Sequence, residues 1–432
     1  MGGMIETLRN AWKIPDLRKR ILFTIAMLVV FRIGSFIPNP GVNAKVFSDL
    51  MSSAGSLGGF LDIVSGGAFK LATVFAMSIT PYVNASIIVQ LLTVAIPSLE
   101  KLQKEGEEGR KILQQYIRYG TVVLALIQAI ALYITLQGRG GVVDGGSVFT
   151  FLTIVMTFTA GTAFLMWLGE QITEYGIGNG ISMIIFAGIV SRGPKGVQAI
   201  IDNYNLGNFG PGVLGILTIA LIIILFIAII AAVIWVQQAE RRIPIQYAKR
   251  VVGRKMYGGQ STHLPIKVNL AGVIPIIFAM SIMLFPSTVI TMFFGNADNW
   301  FVNTFKNPEK SVWYIIIYTI LIIFFTFFYS VMQFNPIEIA NNMKKNGGFI
   351  PGYRPGKATS DYITKVLNRI TWFGGFFLAI VTIAPIILGN VTNIPGIWFG
   401  GTAVLILVGV ALDTVKAIES QMLMRHYKGF LE

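Results

Sequence analysis

The chain has 432 residues, 54% of them hydrophobic and only 12% charged, with a net charge of +14, no cysteine and a mean hydropathy of +0.68. The charged share is about half that of a soluble globular chain. A soluble fold has too little interior to hide so many all-round apolar segments, whereas hydrocarbon about 30 Å thick accepts runs of about 20 residues. The composition therefore excludes a soluble enzyme, and the lack of cysteine excludes disulfides, thiolate metal sites and cysteine nucleophiles.

In chain order, apolar windows fall at 21–37, 71–96, 119–136, 148–168, 180–200, 212–236, 270–294, 312–334, 370–388 and 397–416. These predict an all-α polytopic membrane protein with ten transmembrane helices. The first window follows Arg18-Lys19-Arg20 as a secretory signal would, but it contains Arg32 and ends in Ile37-Pro38-Asn39-Pro40-Gly41 instead of a small-residue cleavage site. It is read as a retained span, with Arg32 snorkelling outward. The segment from Leu57 to Phe69 is apolar but too short to cross and is laced with glycine, which marks a re-entrant or interfacial piece. The fifth window is clean only from Gly180 to Val190, before Ser191-Arg192-Gly193-Pro194 interrupts it; the tenth ends in Asp413 and Lys416.

Orientation follows from Lys and Arg alone. Alternate connections and both ends hold 25 of these residues against 6 on the other side, which places both termini in the cytoplasm. The 169–179 connection runs against the count, with Glu170 and Glu174 and no base. Ten spans divide into two fives, and an odd number per half forces an internal repeat to be inverted. The expected organisation is a cytoplasmic segment 1–20, an N-terminal half 21–205, a C-terminal half 206–418 and a cytoplasmic tail 419–432. The second span of each half carries a proline within its apolar run, Pro81 and Pro275. Proline removes a helical hydrogen bond, and interrupted spans at matching positions point to a functional site, although proline is also common in ordinary membrane helices. Ser78, Thr80, Tyr82, Asn84, Ser86 and Gln90 interleave with Ile and Val along the second window. Such polarity at bilayer depth fits a water-containing cavity better than interhelical hydrogen bonding alone.

Two long cytoplasmic loops carry much of the charge. Residues 237–268 hold seven bases and one acid, with apolar residues alternating in the manner of a protruding β-ribbon. Residues 335–369 hold six bases and two acids, and their FIPGYRPG stretch is a stiff turn that would present Arg354 outward. Attraction to anionic lipid, docking of an acidic protein and contact with RNA phosphates all fit basic loops; the interleaved apolar residues favour a shaped docking surface. No GxxxxGK[ST] phosphate loop is present, and the two histidines, His263 and His426, lie in a loop and in the tail. Carboxylates sit at window ends or in the short segment, not mid-span. These features argue against an enzyme, call for no cofactor, and give a proton-coupled carrier little to work with.

FRIGSFIPNPG, PYVNASIIVQLL, FLMWLGEQITEYGIGNGIS, YAKR with GRK and QSTHLPIKVN, GVIPIIFA and GGFIPGYRPG occur in this order across the ten windows. In these motifs, over essentially its whole length, the chain resembles the bacterial SecY family, the central subunits of protein-conducting channels. The resemblance implies two inverted five-helix halves around a central pore, with a re-entrant plug helix at about 57–69 that includes Leu57, Phe60, Leu61, Ile63, Val64 and Phe69. It implies a pore ring of Ile79, Val83, Ile181, Ile185, Ile277 and Ile406, and a lateral gate at Pro81, Asn84 and Pro275 between spans two and seven. Arg354, with Arg254 and Lys255, would dock the motor ATPase SecA or a ribosome. SecE-type and SecG-type small membrane subunits, secretory precursors, membrane-protein substrates and the lipid bilayer complete the implied partners. The implied activity is passage of unfolded secretory proteins across the bacterial plasma membrane and lateral release of hydrophobic helices into it. A secondary transporter built from inverted repeats and a passive membrane scaffold are the rival classes.

Overall fold

The computed structural model of the chain describes residues 4–53, 62, 65–137, 143, 147–206, 213–247, 250–252, 255–257, 261–293, 300–306, 311–392 and 400–428. The N-terminal half runs α1 (Met4–Lys13), α2 (Pro15–Gly34), α3 (Ala44–Ser53), α4 (Thr80–Ala95), α5 (Pro97–Lys104), α6 (Glu107–Gln137), α7 (Val148–Tyr175) and α8 (Gly180–Asn205). After it come α9 (Val213–Gln238), β1 (Glu240–Tyr247), β2 (Arg250–Val252), β3 (Lys255–Tyr257), β4 (Ser261–Lys267), α10 (Ile274–Phe293), α11 (Trp300–Lys306), α12 (Val312–Gln333), α13 (Pro336–Lys345), β5 (Gly348–Phe349), α14 (Lys357–Thr392) and α15 (Gly400–Lys428). Every predicted window overlaps a helix: in order α2, α4, α6, α7, α8, α9, α10, α12, α14 and α15. Six helical stretches among the described residues are long and apolar enough to cross a membrane unaided, and a seventh if α4 and α5, bent by 103°, form one span.

Polar side chains start and line these helices without breaking them. Ser147 and Asn179 cap α7 and α8, accepting from the amides of Phe149 and Ser182. Within the helices, Thr121, Thr159, Thr326 and Thr382 return their hydroxyls to the carbonyls of Ile117, Val155, Ile322 and Leu378 at 2.7–2.8 Å. Each hydroxyl is thereby satisfied inside its own helix.

The packing repeats itself between the halves. In the N-terminal half α4 packs on α6, α6 on α7, α7 on α8 and α2 on α8; in the C-terminal half the corresponding pairs α10 with α12, α12 with α14, α14 with α15 and α9 with α15 also pack. The halves meet where α4 lies against α10 and α8 against α15. Both are pairs of counterparts, as a twofold relation between the halves requires.

Three readings of the windows need correction. The second window is not helical throughout: residues 65–79 are turns, with Ala72 and Ser78 at φ +47° and +53°, and α4 begins only at Thr80. Pro81 consequently opens a helix instead of kinking one, and Pro275 is likewise the second residue of α10. Proline suits the first turn because its missing N–H would have no partner there. The fifth window is not cut at Pro194, since α8 continues through it to Asn205.

The two basic loops fold together. β1 and β4 form the long arms of the predicted ribbon, β2 pairs with β3 beyond them, and β5 from the second loop adds to the free edge of β1. Along β1, Ile243 and Ile245 point inward while Arg242, Pro244 and Gln246 face out, the two-residue alternation of a half-buried strand. Ile243, Ile245 and Ile266 meet Met343 of α13, Ile350, and Ile363 and Leu367 of α14 in a core separate from those of the helical halves. The loops thus form one small platform, which includes a helix, α13, that the windows did not predict.

Candidate functional site

Ile79 ends the turn-rich segment 65–79 and is the residue that leads into α4. Val83 lies one turn on, its amide bonded to the Ile79 carbonyl at 3.1 Å, so the two side chains share a face. Ile181 and Ile185 have the same spacing on α8, and α10 and α15 contribute Ile277 and Ile406. The structure gathers these six residues, spread over more than 300 positions of sequence, into one apolar cluster. Ile79, Ile185 and Ile406 are 0%, 5% and 4% exposed, and the other three are half-buried. Val83 and Ile277 also pack on the C-terminal half's own core, so the cluster straddles the seam between the halves. None of the six side chains carries a hydrogen-bonding group.

The segment leading to Ile79 is built into the same place. Ala68 and Phe75 belong to the cluster, and Phe75 stacks between Phe31 and Phe164 with centroids 6.3 and 5.8 Å away. Its backbone is tied to the chain that follows α2, with Val74 N donating to Ile37 O and Asn39 N to Ala72 O, both at 3.0 Å. Phe69 is buried but turns the other way, edge-on to Phe47 of α3 in a neighbouring core. The other plug candidates, Leu57, Phe60, Leu61, Ile63 and Val64, lie outside the described residues.

Pro81 and Pro275 are buried and Asn84 half-buried, on α4 and α10, one of the two helix pairs at which the halves meet. The same junction holds a polar link that the motifs did not flag. Tyr329 of α12 donates its hydroxyl to the side-chain carbonyl of Gln90 on α4, while the Gln90 amide donates to Ser86 at 3.0 Å. Phe278 of α10 packs edge-on against the Tyr329 ring at 5.0 Å. Tyrosine in an apolar helix reads as an interfacial anchor, and only its partner in the other half distinguishes it from one. Replacing Tyr329 with phenylalanine removes one interhelical hydrogen bond, worth about 0.6 kcal/mol in a membrane and up to about 1.7. Gln90→Leu is expected to lower the stability of the purified protein by the same amount, and the double variant by no more, which thermal unfolding reads.

On the platform, Arg354 is exposed on the turn after β5, between Gly352 and Gly356 at φ +87° and +107°. Tyr353 stacks on Tyr362 at 4.2 Å, and Thr359 donates to the Arg354 carbonyl at 2.9 Å, so the turn is braced against α14. Lys255 opens β3, and Arg254 lies outside the described residues. Of the two acids that ran against the charge count, Glu170 pairs with Arg118 of α6 at 2.8 Å.

Two bundles of apolar helices repeated in inverted sense, meeting in an aliphatic cluster at their seam and carrying a basic platform, define a channel fold of the membrane. Solved protein-conducting channels share it. One, described as the structure of a protein-conducting channel, aligns over 94% of this chain and 92% of its own with TM-score 0.57 at 20% identity. Sec61 in the canine ribosome-channel complex from the endoplasmic reticulum aligns over the same shares with TM-score 0.57 at 18% identity. The SecY family model matches residues 73–415. The protein translocase subunit SecY of Halalkalibacterium halodurans is 48% identical over 435 residues, covering 99% of this chain and 100% of the relative; that of Bacillus subtilis is 46% identical over 437 residues with the same coverage. The chain belongs to the SecY family, and its function is that of a protein-conducting channel subunit of a protein translocase.

Proposed function

We propose that the six gathered aliphatic residues are the constriction through which unfolded secretory proteins cross the bacterial plasma membrane, in a ten-span chain with both termini in the cytoplasm. The observation that carries this reading is their convergence, from four helices of both halves, on the seam where the halves can separate. A pore wide enough for an extended peptide leaks unless it seals around its contents. Flexible aliphatic side chains seal without offering hydrogen bonds, so they accept many sequences. The residues preceding Ile79 are the root of the plug, and opening between α4 and α10 is the lateral exit. An apolar helix leaves through that exit because about 20 residues, each favouring lipid by a few tenths of a kcal/mol, sum to several kcal/mol.

The chain is not itself an enzyme in this reading; without a phosphate loop it takes its energy from what docks on the platform. Arg354, Arg254 and Lys255 receive a SecA-type motor or a ribosome, and SecE- and SecG-type subunits complete the complex in the bilayer. The ribosome-bound state of the canine channel supports the ribosome as a partner. The test is reconstitution in liposomes with the small subunits and the motor. ATP-dependent protection of a secretory precursor from external protease is the expected result. Saturable uptake of a small solute, with no protection, would move the chain to the transporter class.

A further inference from the structure

Asp62 is the first described residue after α3, and it is bound in four directions. Its carbonyl accepts from Gly67 N at 2.7 Å and from the Ser65 hydroxyl at 3.2 Å. Its carboxylate accepts from Lys70 N at 2.9 Å and pairs with the guanidinium of Arg192 on α8. A second arginine, Arg32 of α2, donates to the Gly66 carbonyl at 2.6 Å and to Ser191 at 3.3 Å. Two glycines allow this approach. Gly66 and Gly67 have φ of +66° and +97°, and a Cβ on either would meet Ser191 Oγ at 2.9 Å or Arg192 Cζ at 3.3 Å. Two arginines from different helices thus clasp the segment that precedes Ile79, one through an acid and one through a carbonyl.

The charges do not balance. Among the described residues, two guanidiniums reach this segment, and Asp62 supplies the carboxylate that meets one of them. Arg192 is also underused, because its Nε is buried and has no hydrogen-bond partner among the described residues. A guanidinium has five donors and can hold a carboxylate through two of them. One acid held by one end of this fork leaves a site that a second carboxylate can take over, and the charge count places it on the side away from the basic platform.

We propose that Arg32 and Arg192 form a carboxylate-exchange site: at rest they hold the Asp62 segment closed, and once it is displaced they take up the Asp and Glu side chains of the chain in transit. This rests on reading the protein as a protein-conducting channel, and it adds a latch and a preference for acidic stretches at the exit. When Asp62 leaves, Arg192 loses the carboxylate that pairs it while Arg32 remains nearby through Ser191, so a passing acid stabilises the open state.

The full chain, reconstituted with its small subunits and motor, tests this through two readouts. Asp62→Asn keeps the size and the Lys70 hydrogen bond but loses the charge, so resting ion conductance is expected to rise about tenfold, as loss of one hydrogen bond to a charged group predicts. The exchanged pair Asp62→Arg with Arg192→Asp is expected to bring it back toward wild type. The second readout compares two precursors that differ only in a mature stretch of four Asp or four Asn. Their ratio of translocation rates is expected to fall several-fold in Arg192→Gln and to be retained in Arg192→Lys, which keeps the charge. Unchanged conductance in a folded Asp62→Asn variant, or one and the same rate ratio in wild type and Arg192→Gln, would overturn the exchange site while leaving the channel reading standing. Failure of the wild type to pass either precursor would instead remove the reading on which it rests.

Discussion

Ile79→Asn is expected to raise the resting ion conductance of the reconstituted channel by at least about thirtyfold. Ile79 is fully buried, sits where segment 65–79 turns into α4, and lies within an apolar cluster. Exchanging it removes burial worth roughly 2 kcal/mol and inserts an amide with donors and acceptors that only water can satisfy at that point. Both effects favour a wetted throat over a dry one, and each 1.4 kcal/mol changes that ratio tenfold. Ile79→Leu conserves volume, should cost less than about 1.5 kcal/mol, and should leave the seal intact. The contrast separates polarity from a packing defect, since both variants disturb the fit but only one invites water. Chloride efflux from liposomes reads both. If asparagine at 79, 185 and 277 all left efflux at the wild-type level, the cluster would be an ordinary helix-packing core.

How much of this could be read beforehand depends on the range of the interaction. Apolar windows are local, and all ten fall on helices, because a run that must satisfy its backbone inside lipid has few other choices. The β-ribbon was likewise visible, from alternation along 240–247. The six aliphatic residues were not visible as a set. Isoleucine at Ile181 or Ile406 is indistinguishable from helix packing, and only the family motifs singled these positions out before the structure brought them together. Pro81 and Pro275 were singled out for a reason that does not hold. Both lie within apolar runs, yet each opens a helix, since hydropathy registers apolar content and is blind to the turns at 65–79 that delay α4. Pairings across the fold were out of reach altogether. Nothing near Gln90 announces Tyr329, nor anything near Asp62 announces Arg192, because such partners are chosen by packing between helices far apart in sequence. The acid at Glu170 looked like an exception to the charge rule until Arg118 was found beside it.

The platform offers the second large effect and separates docking from sealing. Ile266 is fully buried between β1 and the helices α13 and α14, on the face of β4 where Ile266 lies opposite Arg241. A carboxylate there can reach only the exposed Arg241 across the strand pair, and drawing the two charges into an apolar core costs more than their attraction returns, with the packing of Ile266 lost as well. Ile266→Asp is therefore expected to unfold the platform, exposing residues 240–267 to protease and abolishing motor-driven translocation, while the resting conductance stays low because the aliphatic cluster belongs to a different core. Arg354→Glu acts at the surface of the same platform. The side chain is exposed, and its turn is held by the Tyr353–Tyr362 stack and the Thr359 hydroxyl instead of by its charge, so the fold and protease resistance should be kept. Reversing the charge turns an attraction into a repulsion for any acidic partner surface, and a loss of at least about tenfold in ATP-dependent translocation is expected. If Arg354→Glu became as protease-sensitive as Ile266→Asp, the arginine would be holding the platform together. If both variants translocated at wild-type rates with the motor present, the platform would not be where the motor docks, and the force on the precursor would have to enter through another surface of the chain or through the small subunits.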